Sequence, residues 1–193
     1  MASPKRYYSR DTPLPMTNAR DPVIVSFART PQGKFGGALA EVSAPDLGGT
    51  AIRAAVARAG IAPEAVGEVV MGIVLPAGLG QHPARQAAVA GGIPNAVPAY
   101  NINKMCGSGM KALMNAANAI RAGEHDVVVA GGMESMSRTP FLIGRQKWKP
   151  DPDSEPIDHL FHDGLCDPYH DIAMGCTGDH VAATRGDRTS TRL

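Results

Sequence analysis

Apolar residues in this chain gather into short runs divided by polar, glycine-containing stretches. Val23-Ile24-Val25-Ser26-Phe27 is the first such run and predicts a short buried strand. The glycine-rich turn Gly33-Lys34-Phe35-Gly36-Gly37 follows soon after. Beyond it, Ser43 or Asp46 is placed to cap a helix reaching about Ala59, and Gly60 sits where such a helix stops. A second strand is predicted over 69–75, then a loop rich in Gly, Pro and His, then a helix over 84–90. An extended segment over 99–105 leads into the longest predicted helix, 107–122, and Val127-Val128-Val129-Ala130 is a strand ending at Gly131-Gly132.

Strands alternating with helices imply βαβ units and a mostly parallel sheet, an α/β fold. After Arg145 the character changes. Residues 148–156 are rich in Pro and Asp, and 159–171 mix His, Asp and aromatics, which predicts an excursion from the main sheet. A helical pattern resumes over 179–185, and the last residues are polar with no packing face.

Composition sharpens this. The 193 residues are 44% hydrophobic and 19% charged, which suits a soluble domain with one substantial core and argues against disorder. A net charge of +1 gives no electrostatic reason to expect nucleic acid or a membrane surface. No apolar run approaches the roughly 20 residues of a spanning helix. Residues 1–21 carry Pro4, Pro13 and Pro15 beside Lys5, Arg6 and Arg10, and read as a flexible extension without a secretory signal's apolar segment. Cys106, Cys166 and Cys176 are too few for a disulfide framework, so a reducing compartment, the cytoplasm, is expected.

The chemistry concentrates in Asn103-Lys104-Met105-Cys106-Gly107-Ser108-Gly109, at a strand-to-helix junction. A helix N-terminus favours thiolate over thiol, small neighbours admit a bulky thioester, and free N–H groups there can receive an oxyanion. The same local context also fits a small buried hydrophobe, since no base stands nearby in sequence. The helix that follows is weakly amphipathic, with Ala112, Leu113, Ala116, Ala117 and Ile120 apolar, so it is expected to be buried on most sides.

Four segments together resemble the thiolase family. They are Ala28 to Gly37 (ARTPQGKFGG), Gly80 to Ala88 (GQHPARQAA), Asn103 to Gly109 (NKMCGSG) and Val127 to Ser137 (VVVAGGMESMS). They occur in the family's order and spacing. The resemblance implies that Cys106 accepts the acyl group. It implies a mixed, mostly parallel sheet with helices on both faces, one half of a layered αβαβα architecture. Residues 22–137 would form the N-terminal α/β domain and 138–185 part of a loop domain covering CoA. Leu165 and Met174 fall in segments that line the pantetheine and acyl pocket.

The implied substrate is an acyl-CoA, with acetyl-CoA acetyltransferases the best match and 3-ketoacyl-CoA thiolases of longer chain preference the near rival. The implied mechanism is ping-pong through an acyl-cysteine, with CoA thioester as substrate and no metal or redox cofactor. The family also suggests a homo-oligomer.

Members of the family carry a second half that supplies a His in Gly-His-Pro, a Cys in Cys-x-Gly and an Asn at the oxyanion. None has a counterpart here. His82 follows Gln81 in a different motif, and Cys176 falls in the loop domain. Residues 186–193 do not resemble the helix the family continues there and read as an aberrant or truncated tail. This chain alone is expected to lack thiolase turnover, to be at most slowly acylated at Cys106, and to expose an apolar face.

Sharper alternatives weaken on inspection. His159, His162, Cys166 and His170 would make a zinc-like stripe on one helix, but Gly164 and Pro168 interrupt it. Gly33-Lys34 lacks the P-loop spacing, and Gly131-Gly132 lacks that of a dinucleotide fingerprint. A ketoacyl synthase fits the Val127 to Ser137 segment less well than a thiolase. A non-catalytic CoA- or lipid-binding remnant stays open from the sequence.

Overall fold

The computed structural model describes residues 20–185. Most of the expected N-terminal extension, and the tail over 186–193, lie outside the described residues.

Helix α1, Ala44–Ala59, starts and stops on local chemistry. The Ser43 hydroxyl accepts the Asp46 N–H at 3.2 Å, meeting one of the donors a helix start leaves over. At the other end Gly60 takes a left-handed φ of 66°, and its N–H closes on the Ala57 carbonyl. Gly48, Ile52 and Val56 make the buried stripe of α1, which packs on α2, Pro83–Ala90, through Ala84, Ala87 and Ala88.

The sheet has three parallel strands in the order β2-β1-β3, with β1 at Glu68–Gly72, β2 at Ala99–Ile102 and β3 at Val128–Gly132. Side chains alternate across β1. Val69 and Met71, with Ile73 beyond the strand, join α1 and α2 in one core, while Gly72 lies against the first residues of α3, Ser108–Ala122. Helices thus cover both faces of a parallel sheet, as the alternation of elements predicts.

Two expectations need correction. Residues 23–27 form no strand: Val23, Ile24, Val25 and Phe27 are 67–82% exposed. An apolar run supplies strand-like side chains, but a neighbour's N–H and C=O groups make the strand, and no described strand lies beside it. Helix α3 is buried on one side only. Ala112, Ala116 and Ala119 meet the protein, while Met110, Leu113 and Met114 stand exposed. Among the described residues one sheet packs on this helix, so its far side has nothing to meet.

Residues 141–173 leave the main sheet, as predicted. They form three antiparallel pairs of two-residue strands: β4 (Phe141–Leu142) with β7 (Ile157–Asp158), β5 (Arg145–Gln146) with β6 (Lys149–Pro150), and β8 (Cys166–Asp167) with β9 (Ile172–Ala173). One π-helical turn, Leu160–Leu165, sits among them. Helix α4, Met174–Arg185, begins five residues before the sequence pattern for it does. No helix among the described residues is long and apolar enough to cross a membrane.

Candidate active site

Cys106 stands on the turn between β2 and α3, and it is exposed. That removes the reading of this residue as a small buried hydrophobe. The turn is tight. Met105, just before the cysteine, has a φ of 49°, a left-handed conformation that costs a non-glycine residue about 1–2 kcal/mol. Its surroundings hold it there. The Met105 N–H donates to Asn103 Oδ1 at 2.9 Å, and the Met105 carbonyl accepts both the N–H and the hydroxyl of buried Ser108. Ser108 Oγ in turn accepts the Lys104 N–H at 2.8 Å.

The turn also revises an expectation. The N–H groups of Gly107 and Ser108 donate to the Lys104 and Met105 carbonyls, so neither is spare for an oxyanion. The N-terminus of α3, the positive end of its dipole, begins two residues beyond Cys106.

Cys106 lines a cavity of about 390 Å³. Besides the Met105 to Gly109 turn itself, its walls come from three places: the loop after β1 (Ile73 to Leu75), the end of β3 with Met133 and Glu134, and Leu160, Gly164 and Leu165 of the excursion. The lining is apolar apart from a few groups, a composition typical of small-molecule sites. Leu165 is therefore brought to Cys106. Met174 opens α4, half exposed, and does not line this cavity.

Glu134 is the titratable group beside Cys106 in the described lining. Its Oε2 accepts the Val74 N–H at 2.8 Å and its Oε1 the Leu75 N–H at 3.2 Å. Burial pushes its pKa up, and outweighs these two bonds and the nearby His159, which pull it down. In the sequence Glu134 falls inside a family-like segment, with nothing to mark it out as functional.

The other candidates separate. His159 is buried and pairs through Nδ1 with Asp163 at 2.6 Å, and the other oxygen of Asp163 meets His162 at 2.9 Å. The hydrogen bond to His162 first, then that to His159, hold the Asp163 carboxyl below its ordinary range. Cys166 lies 3.4 Å from Asp171, and burial, then that carboxylate, push its thiol up. Among the described residues no three His, Cys, Asp or Glu groups converge as metal ligands. Cys176 is exposed on α4, outside the lining around Cys106. His82 serves the fold instead, since at φ 58° its Nδ1 accepts the Arg85 N–H and caps α2.

A second cavity, of about 630 Å³, opens between residues 28–35 and 132–137. It shares Gly132, Met133, Glu134 and Met136 with the first. Three of the four family-like segments meet here: 103–109 lines the Cys106 cavity, 28–37 lines its neighbour and 127–137 lines both, while the segment around His82 starts α2.

Comparison with known proteins agrees. The family model described as the thiolase N-terminal domain matches residues 22–188. The chain is 53% identical over 167 residues to a Cupriavidus necator protein named acetyl-CoA acetyltransferase, covering 86% of this chain and 42% of that relative. It is 52% identical over 166 residues to acetyl-CoA acetyltransferase 2 of Arabidopsis thaliana, covering 86% and 41%. A Staphylococcus aureus protein named probable acetyl-CoA acyltransferase is 42% identical over 165 residues, covering 85% and 42%. The chain spans less than half the length of these curated relatives.

Proposed function

The chain belongs to the thiolase family through that family's N-terminal domain, and from that premise we propose that Cys106 accepts the acyl group of an acyl-CoA. The observation that carries this reading is the exposed cysteine on a strained turn, lining an apolar cavity. The sulfur attacks the thioester carbonyl. The bond from that carbon to the CoA sulfur breaks, and CoA leaves, taking up the proton that Cys106 gave up. The acyl group stays as a thioester on Cys106. In the second half-reaction another acyl-CoA gives up a proton from its α-carbon, the resulting carbanion attacks this thioester, a C–C bond forms, and the Cys106 sulfur leaves and takes up a proton in exchange. The steps move acyl groups and protons and call on no metal or redox cofactor.

The first half-reaction is the part these residues support. Both oxygens of Glu134 are engaged by backbone N–H groups, so no described lining residue is assigned as base for the second acyl-CoA. The names of the relatives favour acetyl as the donor group. Leu165 is proposed to touch the acyl end of the substrate, Met174 the pantetheine arm further out, and residues 138–185 to cover the CoA.

The test is exchange of isotope-labelled CoA into acetyl-CoA by the 193-residue chain, beside longer acyl-CoA thioesters. Exchange that is fastest with acetyl and absent in Cys106→Ser is expected. Acetyl-CoA binding with no exchange would overturn the proposal in favour of a binding role. Faster exchange with longer acyl groups would reassign the chain-length preference.

A further inference from the structure

Glu134 is a carboxylate in the Cys106 cavity that the acyl transfer leaves unused. Its two hydrogen bonds have a continuation. The peptide unit between Val74 and Leu75 is gripped at both ends: its N–H donates to Glu134 Oε1, and its carbonyl accepts from Asn103 Nδ2 at 3.3 Å. The other amide atom of Asn103, Oδ1, accepts the N–H of Met105. Met105 is the residue held at φ 49° next to Cys106. An unbroken series of hydrogen bonds thus runs from the end of β3, through the loop after β1, to the strained residue before the nucleophile.

The choice of side chains fits a role beyond satisfying two amides. Burying a carboxylate is costly, and desolvation is the largest influence on Glu134. A glutamine of the same shape would accept one N–H and turn an NH₂ group toward the other. Only a carboxylate offers Val74 and Leu75 a separate acceptor oxygen each. Asn103 is equally specific, since it must donate at one end and accept at the other. A strained φ persists only where its surroundings over-determine it.

We propose that Glu134 and Asn103 are positioning residues for Cys106, fixing the Met105–Cys106 turn against the loop that walls its cavity. The inference rests on the reading of Cys106 as acyl acceptor. Without the relay, Met105 relaxes from its left-handed conformation and the sulfur swings off line. It stays exposed to a small reagent but no longer meets a thioester held in the cavity.

Glu134→Gln keeps the volume and removes one bond. Asn103→Asp keeps the acceptor for Met105 and removes the donor to Val74, which isolates the relay from the local turn. Three readouts on the full chain separate positioning from simple loss of fold. The first is hydrogen exchange at the Met105 amide, which Glu134 does not touch, with Val69 and Val70 of β1 as references. The second is iodoacetamide alkylation of Cys106, and the third is acetyl uptake from acetyl-CoA.

In both variants Met105 exchange is expected to rise about tenfold or more while β1 is unchanged. Alkylation of Cys106 is expected to persist at an unchanged rate, and acetyl uptake to slow by about tenfold to a hundredfold. Unchanged Met105 exchange in Glu134→Gln, or wild-type acetyl uptake in both variants, would overturn the proposal. A wild-type chain that takes up no acetyl refutes the acyl-acceptor reading instead, and Met105 exchange still decides whether the relay holds the turn.

Discussion

Gly72 and the first residues of α3 touch backbone to backbone. A Cβ on Gly72 would lie 2.4 Å from the Ser108 carbonyl carbon and 2.6 Å from the Gly109 nitrogen, and neither can retreat without carrying the Cys106 turn along. Gly72→Ala is therefore expected to cost about 1–3 kcal/mol in denaturant unfolding and also to slow acetyl uptake. Gly60→Ala makes the contrast. Nothing lies within 4 Å of its added carbon, and the penalty is conformational, from a φ of 66°, about 1 kcal/mol with no effect at Cys106. Rules that act over a few residues were readable in the chain. Ser43 caps and Gly60 stops because a helix end needs those chemistries, and Cys106 stood out by its small neighbours. Glu134 was not readable as a positioning residue, because its partners Val74 and Leu75 lie some 60 positions away and offer only backbone. His82 shows the converse. A His-Pro pair invites a catalytic comparison, yet the ring is occupied as a helix cap.

At the scale of elements, α1, β1, α2, β2, α3 and β3 follow from periodicity because each pairs or packs within the described residues. Residues 23–27 carry the same kind of pattern and fail, since hydrogen-bonding partners, which no sequence run contains, decide whether a strand exists. The excursion over residues 141–173 depends less on packing and more on charge. Asp163, in the π-helical turn, ties His162 of that turn to His159 just before it, next to the wall of the Cys106 cavity. Its folded pKa is depressed, so its contribution is present above the ordinary carboxylate range and is lost as pH falls through the lowered value. Glu134 runs the other way. Its folded pKa is raised, so stability is lost as pH rises from the ordinary range through the raised value. Acid and neutral unfolding curves of Asp163→Asn and Glu134→Gln check both signs. The first variant should lose the fall of stability in acid that Asp163 causes. The second should lose the decline on the way to neutral pH. Curves parallel to wild type in both would refute the assignment of these groups.

The whole molecule presents apolar side chains, on two of its segments, that its own described residues leave bare. Val23, Ile24, Val25 and Phe27 on one segment, and Met110, Leu113 and Met114 on α3, are all exposed. Surfaces of this kind drive association. The chain is expected to sediment in a concentration-dependent way, and Leu113→Glu with Met114→Lys to reduce that association with little change in unfolding midpoint. Equal association in the double variant would place the contact elsewhere. The expectation from sequence that α3 is buried on most sides rested on its composition of small and apolar residues. That composition records what the helix can bury, and the described residues cover one face of it.

The most direct test of Cys106 as acyl acceptor is the intact mass of the chain after incubation with acetyl-CoA, with Cys106→Ser alongside. A gain of one acetyl group in the wild type, reversed by added CoA and absent from Cys106→Ser, is the expected result. No gain in a folded wild-type sample, or an equal gain in Cys106→Ser, would contradict it.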